Sequence, residues 1–214
     1  GNNPGAADLD VQGLIVGLET VVASKEGGYV WNDTVVAEHS EVDNEDGSRT
    51  ITIKLHDDLK FSDGSKVTAK NYVAFTLAFS TPVAAQAAGK DHMSGMNFVG
   101  FDAFNAYDGT NAGVANEAGI APSKEFKGIR LLDELTFSVF DAFNAYDGTN
   151  AAEDGSVSKE FKGIRLLDEL TFSVTVDPQY LPYFYSIAYG SFSAQYLPLW
   201  LGEFDIMDDG NGVY

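Results

Sequence analysis

The chain has 214 residues, 44% of them hydrophobic, enough to bury the core of one large domain or two small ones. Its 32 acidic residues against 13 Lys and Arg leave a formal charge of −19, a surface that repels a phosphate backbone and so argues against nucleic acid as a partner. Cysteine is absent, which excludes disulfides, Cys-ligated zinc and a thiol nucleophile.

No apolar run approaches the roughly 18 residues of a membrane-crossing helix. The opening GNNPGAADLD lacks the basic and apolar regions of a signal peptide, so the sequence as it stands reads as soluble. From Asp8 to Leu18, apolar residues at Leu9, Val11, Leu14, Ile15 and Leu18 predict a short helix capped by Asp8. After the KEGGY turn, TVVAEHSEV and RTITIKL predict two strands joined by the hairpin loop DNEDGS. Ile51, Ile53 and Leu55 alternate with Thr50, Thr52 and Lys54, so one face of that strand is buried and the other wet.

The stretch FSDGSKVTAKNYV combines an Asp-Gly turn at Asp63 and Gly64 with Thr68, placed to cap a helix over AKNYVAFTLAFS. Thr68 can accept the backbone N–H of Asn71, Tyr72, Val73, Phe75, Leu77 and Phe79 supply a broad apolar face, and Pro82 ends the helix. Asp63, Lys66, Thr68 and Lys70 thus read as local scaffold rather than as chemistry.

Two blocks occur twice. FDAFNAYDGTNA spans Phe101 to Ala112 and again Phe140 to Ala151; SKEFKGIRLLDELTFSV spans Ser123 to Val139 and again Ser158 to Val174. Two units are too few for a solenoid, and identity this complete fits a recent tandem duplication, an engineered repeat or a misread sequence. Only the second ELTFSV continues into TVDP, and a core shaped for one unit has no vacant place for another, so one copy is expected as an added hairpin or a loose segment. The tail QYLPYFYSIAYGSFSAQYLPLWLGEF reads first as core and second as an aromatic wall beside a ligand or partner.

Chemical motifs are sparse. His39, His56 and His92 show no zinc-ligand spacing. Counting back from Gly47, Gly109 or Gly210 fails the calcium-loop formula each time. Walker, GxSxG and GxGxxG motifs are missing, and adjacent acids such as Asp133 with Glu134 or Asp168 with Glu169 carry little weight in so acidic a chain. Asn32-Asp33-Thr34 is a glycosylation sequon, a frequent chance match. Catalysis has no positive support, and a binding role without a cofactor or metal is expected.

TITIKLHDDLKFSDGSKVTAKNYV, from Thr50 to Val73, resembles a stretch shared by the substrate-binding proteins of peptide and oligopeptide ABC importers, the family 5 extracellular solute-binding proteins. EFKGIRLLDELTFSVTVDPQYLPYFY, from Glu160 to Tyr185, resembles that family's Gly-Ile, acidic-Thr-strand and Leu-Pro-Tyr-Phe pattern. DVQGLIVGLETVVASKEGGYVWNDTVVAEH resembles its N-terminal helix and first strands.

The resemblance implies a mixed α/β, or α+β, fold: part of a type II periplasmic-binding-protein lobe plus its small subdomain. Family members are commonly more than twice this long, so the chain would be an N-terminal fragment, with 1-60 in the first lobe and 61-214 in the small subdomain that carries the duplicated segments 101-139 and 140-174. The implied ligand is a peptide and the implied partner a membrane permease. The implied place is the periplasm or outer face of the cell membrane, with a lipid anchor in the full-length protein. FSDG and TAK are scaffold in the family. The cleft would be approached by Asn3, Pro4, Gly5 and Ala6, and by a segment near His92, Met93 and Ser94. Surface left bare by an absent lobe would favour self-association. The alternative from another functional class is a cell-surface interaction protein that uses the duplicated aromatic segment.

Overall fold

The computed structural model describes residues 17–81, 95–105, 158–201 and 205–214. Within them, β1 (Val21–Ala23) and β2 (Tyr29–Trp31) form an antiparallel pair, with Val21 opposite Trp31. The larger sheet has four strands in the order β3-β4-β6-β5: β3 (Val36–Asp43), β4 (Arg49–Leu55), β6 (Thr171–Val176) and β5 (Ile164–Leu166). Each neighbouring pair is antiparallel. Helix α1 (Ala69–Phe79) packs on this sheet, and α2 (Phe101–Asn105) and α3 (Leu197–Leu201) are short. Helices and antiparallel sheets together make the fold α+β.

The predicted hairpin forms as read. Its loop is closed by the Asn44 N–H donating to the Ser48 carbonyl and by Gly47 at φ +86°. Ile51, Ile53 and Leu55 point into the core, whereas β3, an outer strand, leaves all but Val36 exposed. Charge covers that edge: Lys54 pairs with Glu38 at 2.7 Å and Arg49 with Asp43 at 2.6 Å. Central β4 is bonded on both sides, its Ile51 standing opposite Glu41 of β3 and Val174 of β6. The sheet thus joins strands from both sides of residue 60.

The core is built on rings. Tyr72 of α1 stacks on Phe172 of β6 with centroids 5.9 Å apart, and Phe104 of α2 stacks on Phe161 at 5.1 Å. These contacts show how the duplicated blocks are used. The described core takes Phe101–Asn105 from the first copy of one block and Ser158–Val174 from the second copy of the other. The copy that continues into TVDP supplies β5 and β6 of the described sheet; residues 106–157, including Asp133 and Glu134, lie outside the described residues. So do Pro82 and all but the last two residues of the helix predicted from Asp8 to Leu18.

Candidate functional site

The turn-cap-helix reading of FSDGSKVTAKNYV holds in detail. Gly64 sits at φ +87°, and Asp63 Oδ1 accepts the Ser65 N–H at 2.8 Å and the Ser65 hydroxyl at 2.6 Å. Its other oxygen accepts the Tyr196 hydroxyl at 2.7 Å, which hooks the tail to the turn. The Ser65 hydroxyl first, and the Tyr196 hydroxyl after it, hold the Asp63 carboxyl down at about 2. At the helix start Asn71 contributes as much as Thr68: Asn71 Oδ1 accepts both the Thr68 N–H at 2.7 Å and the Thr68 hydroxyl at 3.0 Å.

Asn71 also reaches the tail. Its Nδ2 donates to the Gln195 carbonyl and its own carbonyl accepts the Gln195 N–H, each at 2.8 Å. A second anchor lies upstream at Thr20, which is wholly buried. The Thr20 hydroxyl donates to the Gly190 carbonyl at 2.6 Å and accepts the Phe192 N–H at 2.8 Å, while the Thr20 N–H donates to the Phe192 carbonyl at 2.9 Å. Gly190 is required because a Cβ there would strike the Trp31 ring.

Held at both ends, Ser191 to Gln195 runs beside α1 with Phe192 and Ala194 inward and Ser191 and Ser193 outward. Between this stretch and α1 lies a cleft of about 230 Å³. Tyr72, Phe75 and Thr76 line one side, and Phe192, Ser193 and Gln195 the other. Among the described residues, no charged side chain lines it. Two polar groups in its walls lack a strong partner within the chain, one on the exposed residue Ser193 and one on the buried Tyr72. Among the described residues, the Ser193 N–H has no hydrogen-bond partner, and the Ser193 carbonyl accepts only a long 3.3 Å bond from the side chain of Gln195. The buried Tyr72 hydroxyl has no partner either. Burial, with the Glu19 carboxylate adding to it, pushes that hydroxyl above the ordinary tyrosine range, so it stays protonated.

A larger cavity of about 510 Å³ lies near the start of α1, lined by Lys70, Asp168, Glu169 and Asp208 with Ile206 and Met207. Each charge around it is answered from within: Lys70 by Asp205 at 2.6 Å, Glu169 by Lys66 at 3.0 Å, and Asp208 by Arg165 at 2.8 Å. Asp168 accepts the Leu170 N–H at 2.8 Å. Burial works to raise the Asp208 carboxyl, but Arg165 and the N–H groups of Gly210 and Leu166 outweigh it, and the net direction is down. The Asp168-Glu169 pair is thus a turn residue beside an ion-pair residue.

The aromatic tail divides in two. Phe192 joins the core, whereas Tyr29, Tyr183, Phe184 and Tyr185 form an exposed apron. Tyr185 is its hub, meeting Phe184 at 4.8 Å and Tyr29 at 6.3 Å, edge to face in both cases. Phe184 is 87% exposed.

Asn3, Pro4, Gly5 and Ala6, like His92, Met93 and Ser94, lie outside the described residues. His39 stacks on Trp31 at 4.6 Å, and His56 Nε2–H donates to the Asp33 carbonyl at 2.9 Å, so these two serve local packing. Asn32 spends its side-chain amide inside the fold, donating to the Glu19 carbonyl and accepting from Thr34. Sequence reasoning did not single out Ser193 or the Tyr72 hydroxyl. The available signal was the period-two pattern Ser191-Phe192-Ser193-Ala194, which marks an extended stretch with one face open.

No family model matches the chain, and no curated protein matches it. Among solved structures, Haemophilus influenzae OppA in complex with the peptide RPPGFSPFR is similar over 87% of this chain, at 16% identity and a TM-score of 0.39. The chain spans 25% of the length of that protein.

Proposed function

We propose that the chain is one wall of an extracytoplasmic peptide receptor that hands its ligand to a membrane permease and does no chemistry itself. The observation that carries this reading is the uncharged, extended stretch Ser191–Gln195, fixed at both ends and open at Ser193 beside an apolar cleft. Main-chain groups beside a roomy apolar space suit ligands of varied sequence, because every peptide presents the same N–H and C=O. The order of the three segments that resemble the importer receptors supports it further. Equilibrium dialysis of the purified chain against mixed tri- to hexapeptides tests it. Enrichment of peptides of many sequences, with free amino acids unenriched, is expected; equal concentrations on both sides would contradict it. With one wall only, affinity is expected near the millimolar range, about −4 kcal/mol.

The apron supports a second event, association of two copies of the chain, since contiguous exposed rings are unusual on a monomer. Light scattering should show a mass rising above 23.0 kDa with concentration. Phe184→Ser should suppress that rise, and an unchanged rise would discount the apron.

A further inference from the structure

Among the described residues, each Asp-Gly turn has its glycine nitrogen tied down. The Gly47 N–H donates to the Asn44 carbonyl at 3.0 Å, the Gly64 N–H to the Phe61 carbonyl at 2.9 Å and the Gly210 N–H to Asp208 Oδ1 at 2.8 Å. Asn211-Gly212 differs. It is the one Asn-Gly step in the sequence, Asn211 is exposed, and among the described residues neither its carboxamide nor the Gly212 N–H makes a hydrogen bond. With no Cβ on the glycine, little hinders its nitrogen from approaching the preceding side chain.

The residues around this step seat a loop on the sheet. Val213 is wholly buried; its N–H donates to the Ile164 carbonyl at 3.2 Å and its carbonyl accepts the Phe161 N–H at 2.7 Å, while Met207 and Tyr214 exchange two bonds of 2.9 Å. Asp208 Oδ2 accepts the Leu166 N–H and the Arg165 Nε–H, each at 2.8 Å. The loop Met207–Tyr214 thus covers the outer edge of β5, and Gly212 sits so close that a Cβ there would stand 2.7 Å from the Phe161 carbonyl. We infer that Asn211 is a site of spontaneous covalent modification, and that its conversion to isoaspartate unseats this loop from β5. The Gly212 nitrogen attacks Asn211 Cγ: the N–Cγ bond forms, and the carboxamide nitrogen leaves as ammonia, taking up the Gly212 proton. Water then opens the resulting cyclic imide at either carbonyl, giving aspartate or isoaspartate. In isoaspartate the main chain runs through Cγ and is longer by a methylene, so Val213 loses its register against Phe161 and Ile164. Aspartate adds only a charge beside Asp208 and Asp209.

Incubation of the whole chain in mildly alkaline buffer, followed by tryptic digestion and mass spectrometry, tests the site. Cleavage after Arg165 releases Leu166–Tyr214, in which Asn211 is the one asparagine. That peptide is expected to gain about one dalton ahead of every other asparagine-containing peptide, and to become a substrate for isoaspartyl methyltransferase. Its conversion in the folded chain is expected to run within about tenfold of the rate in guanidinium-unfolded chain, because the fold does not lock the Gly212 nitrogen. Asn211→Gln is expected to stop the conversion. Amide hydrogen exchange at Val213 and Tyr214 should rise at least tenfold in the isoaspartate fraction and stay unchanged in Asn211→Asp, which carries the charge without the methylene. No mass gain, or conversion more than about tenfold slower in the folded chain than in the unfolded one, overturns the site. Isoaspartate that leaves Val213 exchange unchanged, or an equal rise in Asn211→Asp, overturns the unseating of the loop.

Discussion

Two cavities flank α1, and they differ in what they leave unfinished. The larger is ringed by Lys70, Glu169 and Asp208, each already paired with an opposite charge, so a guest there would have to displace an ion pair. The smaller has no charge to displace, yet its walls hold an open Ser193 N–H and an orphaned Tyr72 hydroxyl. The larger space is thus closed by its own ion pairs, whereas the smaller keeps a buried Tyr72 hydroxyl without a partner, a group whose desolvation costs stability.

The comparison can be broken most severely at Thr20, on which the wall of the smaller cleft hangs. Thr20→Val removes bonds to Gly190 and Phe192 and is expected to cost about 1–3 kcal/mol in urea denaturation. It should abolish peptide uptake while leaving the charged cavity intact. Tyr72→Phe sharpens the contrast in the opposite direction. Deleting a buried hydroxyl with no partner should leave stability unchanged or raise it by up to about 1 kcal/mol; a loss of about 2 kcal/mol or more, read from the same curves, would mean that the hydroxyl is satisfied. Lys70→Ala, on the charged side, breaks a pair whose Asp205 partner is 57% exposed. After allowance for solvent screening it should cost about 0.2–1 kcal/mol, with peptide uptake unaltered.

Acid gives the smallest effect. The Asp63 carboxyl is depressed to about 2, so its ionised form favours the folded state at any pH above the ordinary carboxylate value, and that contribution fades as pH falls from about 4 towards 2. The Tyr196 hook should loosen over that window, which tyrosine ring resonances would follow. Asp63→Asn should flatten the response at Tyr196.

Much of the frame is legible in the sequence because its signals are local. Alternation in RTITIKL determines which face of β4 is buried, Asp63-Gly64 forms a turn through its own side chain, and Thr68 lies next to the helix it caps. The continuation into TVDP distinguishes the copy that supplies β5 and β6 to the described sheet, where β6 runs on through Val176, but the sequence left open which copy would pack. The cleft was not legible. It depends on Thr20 meeting Phe192 and Asn71 meeting Gln195, pairs 172 and 124 residues apart. No window of sequence holds both ends. Tyr72 looked like one more ring on an apolar helix face, and its orphaned hydroxyl exists only once Phe172 and the tail close around it.

The most direct test is to observe intermolecular nuclear Overhauser effects between tetra-alanine and the labelled chain. Contacts from alanine methyls to the ring of Phe75 and to the side-chain protons of Ser193 and Gln195 are the predicted result. Contacts confined to the apron rings of Tyr183, Phe184 and Tyr185, or to the Ile206 and Met207 methyls of the charged cavity, would contradict it.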